Sequence, residues 1–91
     1  MDSGLNGKHI LITGASGGIG LEVTQTALDE GAKVTAHYHE NLQKLGEMVK
    51  EYPDSLTAIS ADIREEDAVS KMYRQAEQRF GRIDITVANA G

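Results

Sequence analysis

The chain has 91 residues, 40% of them hydrophobic, and nine Lys and Arg against fourteen Asp and Glu set its formal net charge at −5. A chain of this length buries roughly 60–70% of its unfolded surface, which suits one domain with a modest core. The acidic balance and the scatter of basic residues from Lys8 to Arg82 disfavour nucleic acid, and no apolar run approaches the roughly 20 residues of a membrane span. The opening Met1-Asp2-Ser3-Gly4 lacks the basic and apolar regions of a signal peptide. Without cysteine there is no disulfide, thiol nucleophile or thiolate metal site, and a cytoplasmic location is expected.

Asn6-Gly7 reads as a turn feeding a first strand, His9 to Thr13. A first helix is expected from Gly18, because Ile19, Val23 and Ala27 fall four apart on one face and Gly31 supplies a left-handed stop after Glu30. Lys33 to His37 reads as the second strand. Leu42, Leu45, Val49 and Tyr52 then mark a second helix over Leu42 to Tyr52, which Pro53 ends. Leu56 to Ser60 is the third strand. The third helix opens on Glu65, Glu66 and Asp67, carries a stripe of Ala68, Val69, Met72, Tyr73, Ala76 and Phe80, and closes with Arg79 before Gly81, so both ends suit the helix dipole. Ile83 to Ala88 is expected as a buried fourth strand. Strands alternating with helices over short connections imply parallel pairing through right-handed crossovers, and therefore an open α/β sheet. There is no internal repeat, low-complexity tract or linker.

Thr13-Gly14-Ala15-Ser16-Gly17-Gly18-Ile19-Gly20 lies between the first strand and the first helix, where backbone amides and the helix dipole can hold an anion. Gly14 allows a sharp turn off the strand, Gly18 allows amides to approach a pyrophosphate, and Gly20 allows helix and sheet to pack closely. No Gly-Lys-Ser/Thr follows, so this is not a triphosphate loop, and Ser16 stands where a Gly-x-Gly-x-x-Gly motif needs its second glycine. A turn that merely joins strand to helix is the bland alternative.

The spacing Thr13-Gly14-x-x-x-Gly18-x-Gly20 resembles the cofactor signature of the short-chain dehydrogenase/reductase family, and two later segments match that family in order. Ser60-Ala61-Asp62-Ile63 follows the third strand, and Ala88-Asn89-Ala90-Gly91 is similar to the family's Asn-Asn-Ala-Gly, with Ala88 in place of the leading Asn. The resemblance implies a Rossmann-type sheet, of which residues 1–91 supply the first four strands and three helices. It implies cofactor contacts at Gly14, Ser16, Gly17, Gly18, Ile19, Gly20, Asp62, Ile63, Asn89, Ala90 and Gly91, with Asp62 accepting from the adenine amino group and Asn89 tying the fourth strand to the first near Thr13. Asp62 as a cap on the third helix and Asn89 as an ordinary turn residue stand as alternatives.

Family members selective for NAD place an acidic residue at the end of the second strand; here that position aligns with Tyr38, and Glu40 falls slightly later. NADP is therefore expected over NAD, with Ser16, Tyr38 and His39 at the 2′-phosphate, although the Arg or Lys often found in NADP-selective relatives at the position of Gly17 is absent. His9 and His37 sit within strands and are read as structural; no metal site is expected. The family's catalytic Ser, Asn and Tyr-x-x-x-Lys are expected beyond residue 91, since Leu42, Leu56 and Glu77 stand four residues after Tyr38, Tyr52 and Tyr73. The chain is thus expected to contain no catalytic residue and to be the cofactor-binding portion of a homo-oligomeric oxidoreductase acting on a small carbonyl or alcohol substrate. A non-catalytic nucleotide-binding or self-associating half-domain is the alternative.

Overall fold

Within residues 4–89, which the computed structural model describes, the chain runs β1 (His9–Thr13), α1 (Gly18–Asp29), β2 (Lys33–Tyr38), α2 (Gln43–Glu51), β3 (Leu56–Ser60), α3 (Glu66–Phe80) and β4 (Ile85–Ala88). All pairings are parallel and the strand order is β3-β2-β1-β4. The chain leaves β1 toward β2 and β3, then crosses back to β4 on the far side. This Rossmann-like arrangement creates a crossing point at the carboxyl ends of β1 and β4, where open α/β sheets bind ligands.

Pleating divides the core. Ile10, Ile12, Val34, Ala36 and Leu56 face α1 and α2, meeting Ala27, Leu28 and Leu45. Leu11 and Ile59 face α3, with Met72, Val69 and Tyr73 packed there. β1 and β2 are covered on both sides, as expected of inner parallel strands. The α3 face also buries polar groups. His9 Nδ1 donates to the Gly81 carbonyl at 2.9 Å, so Nε2 is left to accept the Thr35 hydroxyl at 2.8 Å. The edge of the same ring meets Phe80, with centroids 5.4 Å apart.

Several boundaries and faces differ from the sequence expectation: β2 runs one residue past His37 to Tyr38, and β4, expected to be buried, has three of its four residues exposed because it is the edge of the described sheet. β4 begins at Ile85 rather than Ile83, because the Asp84 carboxylate accepts the His9 N–H at 2.9 Å in place of a ladder carbonyl. α2 begins at Gln43, and Leu42 is exposed beside it; Leu45 alone of the expected stripe is fully buried. α1 starts at Gly18 as expected but turns Ile19 outward, 69% exposed, and buries Gly20, Thr24, Ala27 and Leu28. Thr24 tolerates that position because its hydroxyl donates to the Gly20 carbonyl at 2.8 Å.

Candidate functional site

β1 ends in a loop whose glycines have separate reasons. Gly14 has φ of +64°, a conformation that side chains disfavour. At Gly20 a Cβ would lie 2.7 Å from the Ala15 Cα and would also strike the Gly14 carbonyl, so only glycine lets α1 settle against the loop. Gly17 and Gly18 are different. Neither has positive φ, and a Cβ would meet nothing nearer than 3.8 Å at Gly17 and nothing within 4 Å at Gly18. The protein's own packing makes no demand for glycine at either position, and bare backbone there leaves room for something else.

The amides of Gly18, Ile19 and Gly20 open α1 and precede its first internal bond, Leu21 N–H to the Gly17 carbonyl at 2.8 Å. Gly17 contributes no capping side chain, and the first turn carries no acidic residue. No acidic side chain of the first turn therefore offsets the positive end of the α1 dipole.

His37 holds this loop in place. Gly14 N–H donates to His37 Nδ1 at 3.0 Å and Ala15 N–H donates to the His37 carbonyl at 2.8 Å. Nδ1 accepts, so the ring proton sits on Nε2, which donates to the Ala61 carbonyl at 2.7 Å. One buried imidazole thus joins the glycine loop to the end of β3. Across the sheet, Asn89 N–H donates to Thr13 Oγ1 at 3.1 Å and its Nδ2 to the Gly14 carbonyl at 3.2 Å, fastening β4 to the same loop.

These strand ends enclose a cleft of about 690 Å³ lined by Gly14, Ser16, Gly17, His37, His39, Glu40, Asn41, Ala61, Asp62, Ile63, Arg64 and Asn89. All four strands contribute. A hollow of similar size, about 710 Å³, takes its whole lining from residues 40–50 and is a groove along α2. Asp62 does not cap α3, whose N-cap is Glu65. Instead its carboxylate accepts the Arg64 main-chain N–H at 3.0 Å and binds the guanidinium through Nε at 3.0 Å and Nη2 at 2.8 Å. Hydrogen bonding to Arg64 holds the Asp62 carboxyl far below the usual carboxylate range, with smaller electrostatic help from His39, so it is ionised at any ordinary pH.

Of the expected cofactor residues, Gly14, Ser16, Gly17, His39, Asp62, Ile63 and Asn89 line the cleft; Gly18, Ile19 and Gly20 stand at the start of α1 beside it. Ala90 and Gly91 lie outside the described residues. Tyr38 does not line it. The pleat sends its ring to the α1/α2 face, where it packs on the apolar cluster, while His37 takes the cleft side. Sequence reasoning read His37 as structural, placed Glu40 slightly beyond the end-of-strand position and passed over Arg64; all three line the cleft. Strand parity offered a signal for His37, since it shares a face with Thr35 beneath the loop. Among the described residues there is no cluster of three potential metal ligands, and no helix is long and apolar enough to cross a membrane.

Parallel strands in this order, with a glycine-rich turn into α1 at the crossing point, define a Rossmann-like α/β protein. Residues 8–91 match the short chain dehydrogenase family model, and the chain belongs to that family of oxidoreductases, which generally use NAD or NADP. A versicolorin reductase from Emericella nidulans is 38% identical over 90 residues, spanning 96% of this chain and 34% of the relative. A 3beta-hydroxysteroid dehydrogenase from Eggerthella lenta is 38% identical over 89 residues, again 96% of this chain and 34% of the relative. The solved short-chain dehydrogenase/reductase from Serratia marcescens superposes with a TM-score of 0.87 at 32% identity, over 96% of this chain and 37% of its own. The chain therefore spans about a third of the length of the curated relatives it matches.

Proposed function

We propose that the cleft holds a nicotinamide dinucleotide and that the protein is an oxidoreductase acting on a small carbonyl or alcohol substrate. The observation that carries this reading is the division of labour among the loop glycines: the fold requires Gly14 and Gly20, whereas Gly17 and Gly18 leave bare backbone beside amides that have no internal acceptor. A pyrophosphate suits that donor set, because it supplies the anion that the start of α1 lacks. Gly14, Ser16 and Gly17, with the amides of Gly18, Ile19 and Gly20, would hold the phosphates. Asp62 and Ile63 would meet the purine, and the segment that Asn89 opens after β4 would border the cofactor ribose. When bound, the nicotinamide ring gives or takes a hydride; this chain's residues bind and orient the dinucleotide and supply no catalytic acid or base.

NADP is the proposed preference. The support is that β2 ends without a carboxylate: Tyr38 is turned to the opposite face, and His39, exposed, follows it and lines the cleft together with Ser16. Glu40 also lines the cleft and opposes a 2′-phosphate, so this preference is a balance between a neutral strand end and one nearby carboxylate.

Calorimetric titration with NADPH and NADH tests both readings. Binding of NADPH tighter than NADH is the expected result, and Gly18→Val should abolish it while leaving the melting temperature near that of the parent, since a Cβ at residue 18 touches no protein atom. Equal binding in Gly18→Val would sink the phosphate assignment.

A further inference from the structure

Asp62 is more constrained than a surface carboxylate needs to be. An ionised carboxyl group offers about four acceptor directions. On Oδ1 both are taken, by the Arg64 main-chain N–H and by Nε–H, each at 3.0 Å. On Oδ2 one is taken, by Arg64 Nη2 at 2.8 Å. His39 Nε2 stands 4.0 Å from Oδ2, beyond hydrogen-bonding reach, which leaves one Oδ2 direction unmatched among the described residues.

The Arg64 side chain is 81% exposed and an ion pair in that setting adds little to folding. Its fork does have a geometric effect: it stops the carboxylate from rotating about its last torsion, which is otherwise broad. Asp62, Arg64 and His39 all line the cleft that the glycine loop opens into.

We propose that Arg64 is a positioning residue for base specificity: it turns Asp62 so that one acceptor direction, on Oδ2, is offered to the exocyclic amino group of a 6-aminopurine. This inference rests on the dinucleotide reading above. A 6-amino group donates to Oδ2, whereas a 6-oxo group would face the carboxylate with its own lone pairs. Fixing the carboxylate makes that difference large, because the group cannot rotate away from the wrong base. A Lys at residue 64 would keep the charge but not the two-point grip.

The test is the ratio of dissociation constants for nicotinamide adenine dinucleotide and its hypoxanthine counterpart, measured by calorimetry on the whole protein. The parent should prefer the adenine form. Arg64→Gln should cut that preference about tenfold, the scale of one poorly aligned charge-assisted hydrogen bond, by weakening the adenine form alone and leaving the melting temperature unchanged. Arg64→Lys should behave like Arg64→Gln. An unchanged ratio in Arg64→Gln, or a ratio fully kept by Arg64→Lys, overturns the positioning role. A parent that binds both forms equally overturns the Asp62 acceptor while the dinucleotide reading stands, and a parent that binds neither form overturns both.

Discussion

The His37 imidazole, with the residue 2% exposed, joins two backbone segments, accepting from Gly14 N–H on one nitrogen and donating to the Ala61 carbonyl from the other. Removing it leaves a buried donor and a buried acceptor unmatched and opens a space under the glycine loop. His37→Ala should therefore cost about 2–4 kcal/mol in stability, measured by urea unfolding, and should weaken dinucleotide binding even though no cofactor contact is assigned to the ring. A loss below about 0.5 kcal/mol, the scale of an ordinary surface change, would show that water takes over both bonds. Asp62 could be picked out of the sequence by its place after β3. Its partner could not. Arg64 reads as one more charged residue in an acidic turn until the turn's conformation brings its guanidinium back onto the carboxylate two positions earlier.

At the scale of elements, α1 and its loop act as one unit. Gly20→Ala and Gly18→Ala make the same chemical change two residues apart in one helix, yet their surroundings differ. The methyl group at residue 20 is driven into the Ala15 and Gly14 backbone, whereas at residue 18 it enters open space. Gly20→Ala should cost about 1–3 kcal/mol through overpacking, and Gly18→Ala should be neutral within about 0.5 kcal/mol; thermal melting of the pair measures the contrast. Equal effects would mean that the helix can move away from the loop at no cost. The existence and order of all seven elements were legible from periodicity and from Gly31, Pro53 and Gly81. The inward face of α1 was not: counting apolar residues favours Ile19, while the close approach at Gly20 rotates the helix and buries Thr24 with its hydroxyl bonded internally.

On the scale of the whole molecule, β4 is the edge of the described sheet, and three of its four residues are exposed. Ile85 is 37% exposed and forms, with Leu5, Ile10, Val23, Ala27 and Val87, much of an apolar groove of about 390 Å³ beside α1. An edge of this kind invites strand pairing, so these 91 residues expressed alone should self-associate, and Ile85→Lys should shift them toward monomer in sedimentation equilibrium. A monomer at high concentration before the substitution would refute the edge as the contact. Strand and helix order, parallel connection and the place of the glycine loop can be read from the chain alone, because they follow from local sterics, periodicity and the short reach of connecting turns. The resemblance pointed to Gly14, Ser16, Gly17, His39, Asp62, Ile63 and Asn89, but how these are held, and which other side chains join them or turn away, was decided only by the folded molecule. The pleat turns Tyr38 away and His37 inward, Asn89 reaches Gly14 across 75 residues of chain, and the turn after β3 folds Arg64 onto Asp62. These depend on strand register, on the approach of elements distant in sequence and on the conformation of one turn, all of which are set only as the chain folds.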